Sequence, residues 1–267
     1  MASKELIANK FIELVDIMAA LRGENGCPWD IEQTHASLKK YLIEEAYELL
    51  DSIDEADDNA MTEECGDVLL QVVFHAQMAS EENRFDILDV IESICDKLVR
   101  RHPHVFGDRD AANAEEVLRN WERDKQQEKP ERESILSGIP RGLPALMQAG
   151  EIQKKVRRVG FDWENADEML DKVEEEWREF REARKSKDPN KIKEEFGDIL
   201  FAMVNVARYV EVDPEDALRK TNQKFMRRFL HIETEVKKQN KTLEQATLFE
   251  MDALWEEAKQ RERISGE

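Results

Sequence analysis

The sequence predicts an all-α fold. Apolar residues recur at spacings of three and four, as on the buried face of a helix, and no run alternates with period two. Glycine and proline are scarce, 10 and 7 among 267 residues. The chain is 40% hydrophobic, so it has cores to bury despite being 37% charged.

The opening residues, "MASKELIANK", read as charged and helical rather than as a secretion signal. Helices are expected at about 35–53, 60–80, 86–101 and 113–127. The stretch "QQEKPERESILSGIPRGLP" then interrupts helix at Pro130, Pro140 and Pro144. Beyond it, a helix from about Asp167 to Lys185 ends in the turn "SKDPNK", whose Pro189 opens the next helix, running to about Tyr209. Asp213 and Pro214 supply an N-cap and a first-turn proline for a third helix, and a last one carries Trp255. The domains expected are 1–128 and 148–267, with 129–147 as linker.

This parallel order reflects an internal repeat. "EECGDVLL" at 63–70 returns as "EEFGDILF" at 194–201, an offset of 131. The same offset carries Glu45, Glu48, Glu64 and Asp67 onto Glu176, Glu179, Glu195 and Asp198. "KLVRR" at 97–101 is answered by "KFMRR" at 224–228, and Trp121 by Trp255.

Acids three apart share a helix face, and helices joined by a short turn pack antiparallel, so each pair of acid motifs can converge. In so acidic a chain most such pairs are solvated faces. Here the acids lie among apolar residues, where clustered carboxylates repel unless cations join them. An all-carboxylate set calls for a hard cation, Mg²⁺ by default with Mn²⁺ as substitute. Gly66 and Gly197, set mid-helix between acids, cost about 1 kcal/mol each against alanine. They suggest the close approach of a helix or ligand; a packing glycine is the other account. The Lys-x-x-Arg-Arg edges, Lys97 with Arg101 and Lys224 with Arg228, suit an oligophosphate clamp or, alternatively, salt bridges to the many acids. Either tryptophan can stack a base or cap a core. "HPH" at 102–104 reads as a turn rather than a metal site.

Composition excludes other classes. A net charge of −20 argues against nucleic-acid binding, though a phosphorylated small molecule remains accessible through a bridging metal. The longest apolar stretch, "VLLQVVF", is too short to span a membrane. Three cysteines without C-x-x-C fit a reducing cytoplasm. Walker-type and G-x-S-x-G motifs are absent. Metal-activated attack of water on a phosphate chain is the chemistry left.

The pattern E-E-x-x-E followed by E-x-x-D resembles the all-α nucleoside triphosphate pyrophosphohydrolases of the MazG type. It reads "EEAYE…ECGD" and "EEWRE…EFGD". "GCPWD", "RRHPHVF", "IPRGLPALM" and "VGFDW" extend the resemblance over nearly the whole chain, to the two-domain bacterial form. It implies Mg²⁺-dependent hydrolysis between the α and β phosphates, giving nucleoside monophosphate and diphosphate. It also implies a homodimer whose helix pairs complete four-helix bundles. Carried onto this chain, Glu176, Glu179, Glu195 and Asp198 would hold metal. Lys172, Lys224 and Arg228 would meet phosphates, Trp255 would lie by the nucleotide, and Glu175 would orient the attacking water.

The copies are unequal. Lys172, one turn before Glu176, has Tyr41 as counterpart; Asn205, two turns after Asp198, has Phe74. The second copy keeps a cation and an amide where the first has rings, so it is expected to be the main catalyst. Glu45, Glu48, Glu64, Asp67, Lys97 and Arg101 form a possible second site. A metal–nucleotide sensor without turnover, a purely structural helical adaptor, and a related all-α hydrolase specific for dUTP or phosphoribosyl-ATP are the competing readings.

Overall fold

The computed structural model describes residues 2–108, 110, 113, 116–117, 134–163 and 165–265. The described residues contain helices and turns and no strand. The chain divides into two compact units, Met1–Pro130 and Glu131–Glu267.

In the first unit, α1 (Lys4–Arg22) starts at Ser3, whose hydroxyl accepts from the amide of Leu6 at 3.1 Å. A short α2 (Pro28–Glu32) opens on proline. Then come α3 (Lys39–Asp54) and α4 (Asp58–Glu81), which pack along each other. The Asp57 carboxylate caps α4 by accepting from the amides of Asn59 and Ala60. Asp86 and Asp89 form a capping box on α5 (Ile87–Arg101), and α6 (Pro103–Phe106) follows. Met18 of α1, Leu38, and Val73, Phe74 and Met78 of α4 make the core, with Tyr41 packed against it. The helix expected at 113–127, Trp121 included, lies almost wholly outside the described residues.

The second unit repeats the pair. α7 (Ala145–Arg157) begins within the segment expected as linker. Its Lys155 donates to the carbonyls of Ile135 and Ser137, at 3.0 and 3.1 Å. Asn165 caps α8 (Ala166–Ser186), and Asp188 with Pro189 starts α9 (Pro189–Tyr209). These two helices form the most extensive helix–helix contact in the unit, and α7 packs on α9. Asp213 and Pro214 start α10 (Pro214–Lys238) as expected; it packs against α11 (Leu248–Ser265), after a 3₁₀ turn at Leu243–Gln245.

The repeat reaches the backbone. The turns closing α3–α4 and α8–α9 each contain one left-handed residue, Ala56 at φ 53° and Lys187 at φ 57°, again 131 apart. Such a residue ends the first helix and reverses the chain within a few residues. That reversal sets the acid faces of the two helices against each other. A Cβ at Gly66 or Gly197 would meet nothing within 4 Å among the described residues. Neither makes room for another helix of this chain among the described residues.

Candidate active site

α8 carries Lys172, Glu175, Glu176 and Glu179 on successive turns, and α9 carries Glu195, Asp198 and Asn205. Their packing gathers one carboxylate oxygen each from Glu176, Glu179 and Glu195 within 4.8 Å of one another. Glu176 is only 6% exposed, so its charge is withheld from water. Burial, then repulsion from Glu179, Asp198, Glu176 and Glu194, raises the Glu195 carboxyl above its ordinary value. Glu195 thus ionises at a cost, which a divalent cation among these oxygens would remove. The donor set, carboxylate oxygens alone, fits a hard cation.

Lys172 is the cation already present. Its Nζ lies 2.6 Å from Glu176 Oε1 and 3.1 Å from Glu175 Oε2. These hydrogen bonds, led by that to Glu176, push its pKa up to about 12. Lys172, Glu176, Asp198 and Asn205 border a cavity of about 400 Å³. Its remaining wall includes Gln153, Phe161, Asp162, Trp163, Met169 and Phe201. Asp198 is outside the trio of mutually close oxygens but shares this cavity with Glu176. Asn205 is held in place: its Oδ1 accepts from Arg208 Nε and Nη2 at 3.0 and 2.7 Å. The same Arg208 pairs with Asp162, which also takes Arg157 at 3.1 Å.

The basic edge lies elsewhere in the unit. Lys224 and Arg228 stand on α10 and Trp255 on α11, and none of them borders the cavity. Arg228 donates through Nε and Nη2 to Glu262 Oε2 at 2.8 and 2.6 Å, and its guanidinium sits 5.4 Å from the Trp255 ring centre. Trp255 in turn packs 5.0 Å from Phe225.

In the first unit, Glu45, Glu48 and Glu64 likewise place oxygens within 4.8 Å of one another. Burial first, then neighbouring acids including Asp67, raises both Glu45 and Glu64. Glu64 Oε2 is buried with no hydrogen-bond partner among the described residues. Beyond the acids the units diverge. Phe74, 3% exposed, belongs to the core, and Tyr41 packs against that core with its ring 5.7 Å from Trp29. Rings fill the positions where the second unit has Asn205 and Lys172. Lys97 and Arg101 lie on α5. His102 ends α5, its Nδ1 donating to the Leu98 carbonyl at 2.6 Å, as a turn residue does.

The profile of the MazG nucleotide pyrophosphohydrolase domain matches residues 33–106 and 164–232, the acid-bearing helices of both units. The chain is 50% identical over 250 residues to a Thermotoga maritima protein named nucleoside triphosphate pyrophosphohydrolase/pyrophosphatase MazG, covering 93% of this chain and 95% of that one. The chain belongs to the MazG family. An Escherichia coli K12 member, named nucleoside triphosphate pyrophosphohydrolase, is 48% identical over 259 residues, 95% of this chain and 98% of its own. Bacillus subtilis YabN, an uncharacterized protein, is 50% identical over 265 residues, but they make up only 54% of its length.

The MazG profile takes in both acid sets and stops short of α7 and α11. Gln153, Asp162 and Arg208 are cavity or support residues that sequence reasoning did not single out. Asp162 stood in plain view within "VGFDW". Gln153 carried no signal, because only the packing of α7 on α9 brings it to the cavity.

Proposed function

We propose that this chain is a nucleoside triphosphate pyrophosphohydrolase, converting a triphosphate and water into nucleoside monophosphate and diphosphate. The observation that carries this reading is the Glu176–Glu179–Glu195 cluster opening beside a cavity that also presents Lys172. The names of the MazG relatives agree with it.

Glu176, Glu179, Glu195 and Asp198 would hold Mg²⁺, or Mn²⁺ in its place. The bound ion would supply charge neutralisation for the phosphates and a lowered pKa for water. The chain's own groups do the rest. Lys172, cationic at any physiological pH, donates to a phosphate oxygen once substrate competes with Glu176 for it. Glu175, next to Lys172, accepts a proton-bearing hydrogen bond from the attacking water and so orients it. Asn205 offers its amide N–H, because Arg208 occupies its oxygen.

The proposal includes a cytoplasmic homodimer. Trp177, Phe196, Leu200 and Met203 on α8 and α9 are each more than 40% exposed, an apolar face suited to a second copy. In it Lys224, Arg228 and Trp255 would serve phosphates and nucleotide, with Arg228 exchanging Glu262 for substrate. Neither nucleic acid nor membrane is a partner in this reading. Among the described residues no helix is long and apolar enough to cross a membrane.

The test is product analysis with a panel of triphosphates and Mg²⁺. Monophosphate and pyrophosphate in equal amounts are expected. Orthophosphate with nucleoside diphosphate would overturn the proposed cleavage position, and binding without products would leave a sensor.

A further inference from the structure

The α9 wall of the cavity runs from Asp198 through Phe201 to Asn205, a rise of about 10 Å at 1.5 Å per residue. The acids stand at one end. The rest of the lining is largely apolar and aromatic, with Phe161, Trp163, Met169 and Phe201. A ligand that places phosphates at the acids would send its base into this part, where aromatic faces can hold a flat ring.

Three polar side chains, Asp162, Asn205 and Gln153, break this apolar lining, and Arg208 pairs with the first two. Gln153 is 5% exposed. Its Nε2 donates to the Phe201 carbonyl at 2.7 Å, which fixes the carboxamide, since a carbonyl facing a carbonyl would repel. The other atom, Oε1, is buried and has no hydrogen-bond partner among the described residues. Such an acceptor is costly to leave unmet. It cannot take a phosphate or carboxylate oxygen; what satisfies it must be an N–H or O–H.

We infer that Gln153 Oε1 accepts a hydrogen bond from an exocyclic amino group on the edge of the nucleobase, making Gln153 a specificity residue. This rests on the nucleotide reading above. No group among the described residues pairs with this acceptor, so a base lacking the donor forgoes one bond and breaks none of this chain's described ones. Discrimination of roughly tenfold follows from one such bond.

The test uses substrate pairs that differ by one donor: ATP against purine riboside triphosphate, and CTP against pyrimidin-2-one riboside triphosphate. For the full chain with Mg²⁺, kcat/KM should favour the donor-bearing member about tenfold in at least one pair. Gln153→Met should abolish that preference while still cleaving triphosphates. Gln71→Leu is the control, because Gln71 Oε1 is also buried without a described partner yet Gln71 does not border this cavity; it should keep the preference. Equal rates within both pairs in the unmutated protein would overturn the inference, a result that needs no variant to fold. Discrimination against 3′-deoxy-ATP, lost in Gln153→Met, would also overturn it by moving the donor to the sugar. Calorimetric binding of non-hydrolysable α,β-methylene versions of the same pairs separates the two claims. A binding preference without turnover contradicts the pyrophosphohydrolase, and turnover without preference contradicts the role of Gln153.

Discussion

Lys172 and Glu176, one turn apart on α8, are ion-paired at 2.6 Å, with the lysine 35% exposed at its side chain and the glutamate 8%. The lysine thus serves as the built-in counter-ion of a buried acid. Lys172→Tyr copies the first unit's residue and tests this. Without metal it should destabilise the second unit by about 1 kcal/mol, a modest figure because the ammonium is partly solvated. Added Mg²⁺ should recover that loss in a thermal melt, whereas kcat should stay down by about 100-fold, as for removal of a donor that meets developing charge. Unchanged kcat would remove Lys172 from the mechanism.

Glu195 tests the metal cluster from the opposite side. Its carboxyl is held above its ordinary value by burial and by its neighbours' charges. Glu195→Gln removes that repulsion, so thermal stability without metal should hold or rise. Saturating Mg²⁺ at about 100 times its Kd should stabilise the parent by about 2.7 kcal/mol, a shift of several degrees. The variant should lose most of that shift. An equal response to Mg²⁺ in both proteins would show that the ion binds elsewhere.

Much of this site was legible in the sequence because its acids come from local rules. Spacing by three put each pair on one face, and the short "SKDPNK" turn, with Lys187 left-handed, brought the faces together. Asp213 and Pro214 marked the start of α10 for the same local reasons. What stayed hidden depends on contacts far apart in sequence. Gln153 meets Phe201 across 48 positions, and Arg228 meets Glu262 across 34. Periodicity carries no information about either. Helix propensity gave the cost of Gly66 and Gly197, and the space beside each is empty among the described residues.

The first unit should weaken in mild acid through His75. Arg84 Nη2 contacts His35 Nε2, and an arginine only donates, so that nitrogen is an unprotonated acceptor. His35 Nδ1 and His75 Nδ1 share a hydrogen bond at 2.7 Å. Burial, then the positive charge that His35 carries once protonated, holds the His75 pKa below the usual 6.5. The unfolded chain therefore binds more protons below that value, so stability is present above about pH 6.5 and falls as pH drops through it. The slope stays under the ~1.4 kcal/mol per pH unit of a single proton, because the ring is partly exposed. Raised Glu45 and Glu64 act with the opposite sign, which makes the comparison with His75→Gln necessary. Urea unfolding at pH 7, 6 and 5 should fall more steeply for the parent than for His75→Gln. Parallel curves would show that His75 takes up its proton equally in the folded and unfolded chains.

The account's central claim is that turnover resides in the second unit, where Lys172 and Asn205 border the cavity and the first unit has Tyr41 and Phe74 in and against its core. The most direct measurement is pyrophosphate release from a good triphosphate substrate by two double variants. Glu64→Gln with Asp67→Asn should keep most of the parent's kcat. Glu195→Gln with Asp198→Asn should lose at least about 100-fold, since both substitutions remove charge where the transition state needs it stabilised. A dead first variant beside an active second one would contradict the claim.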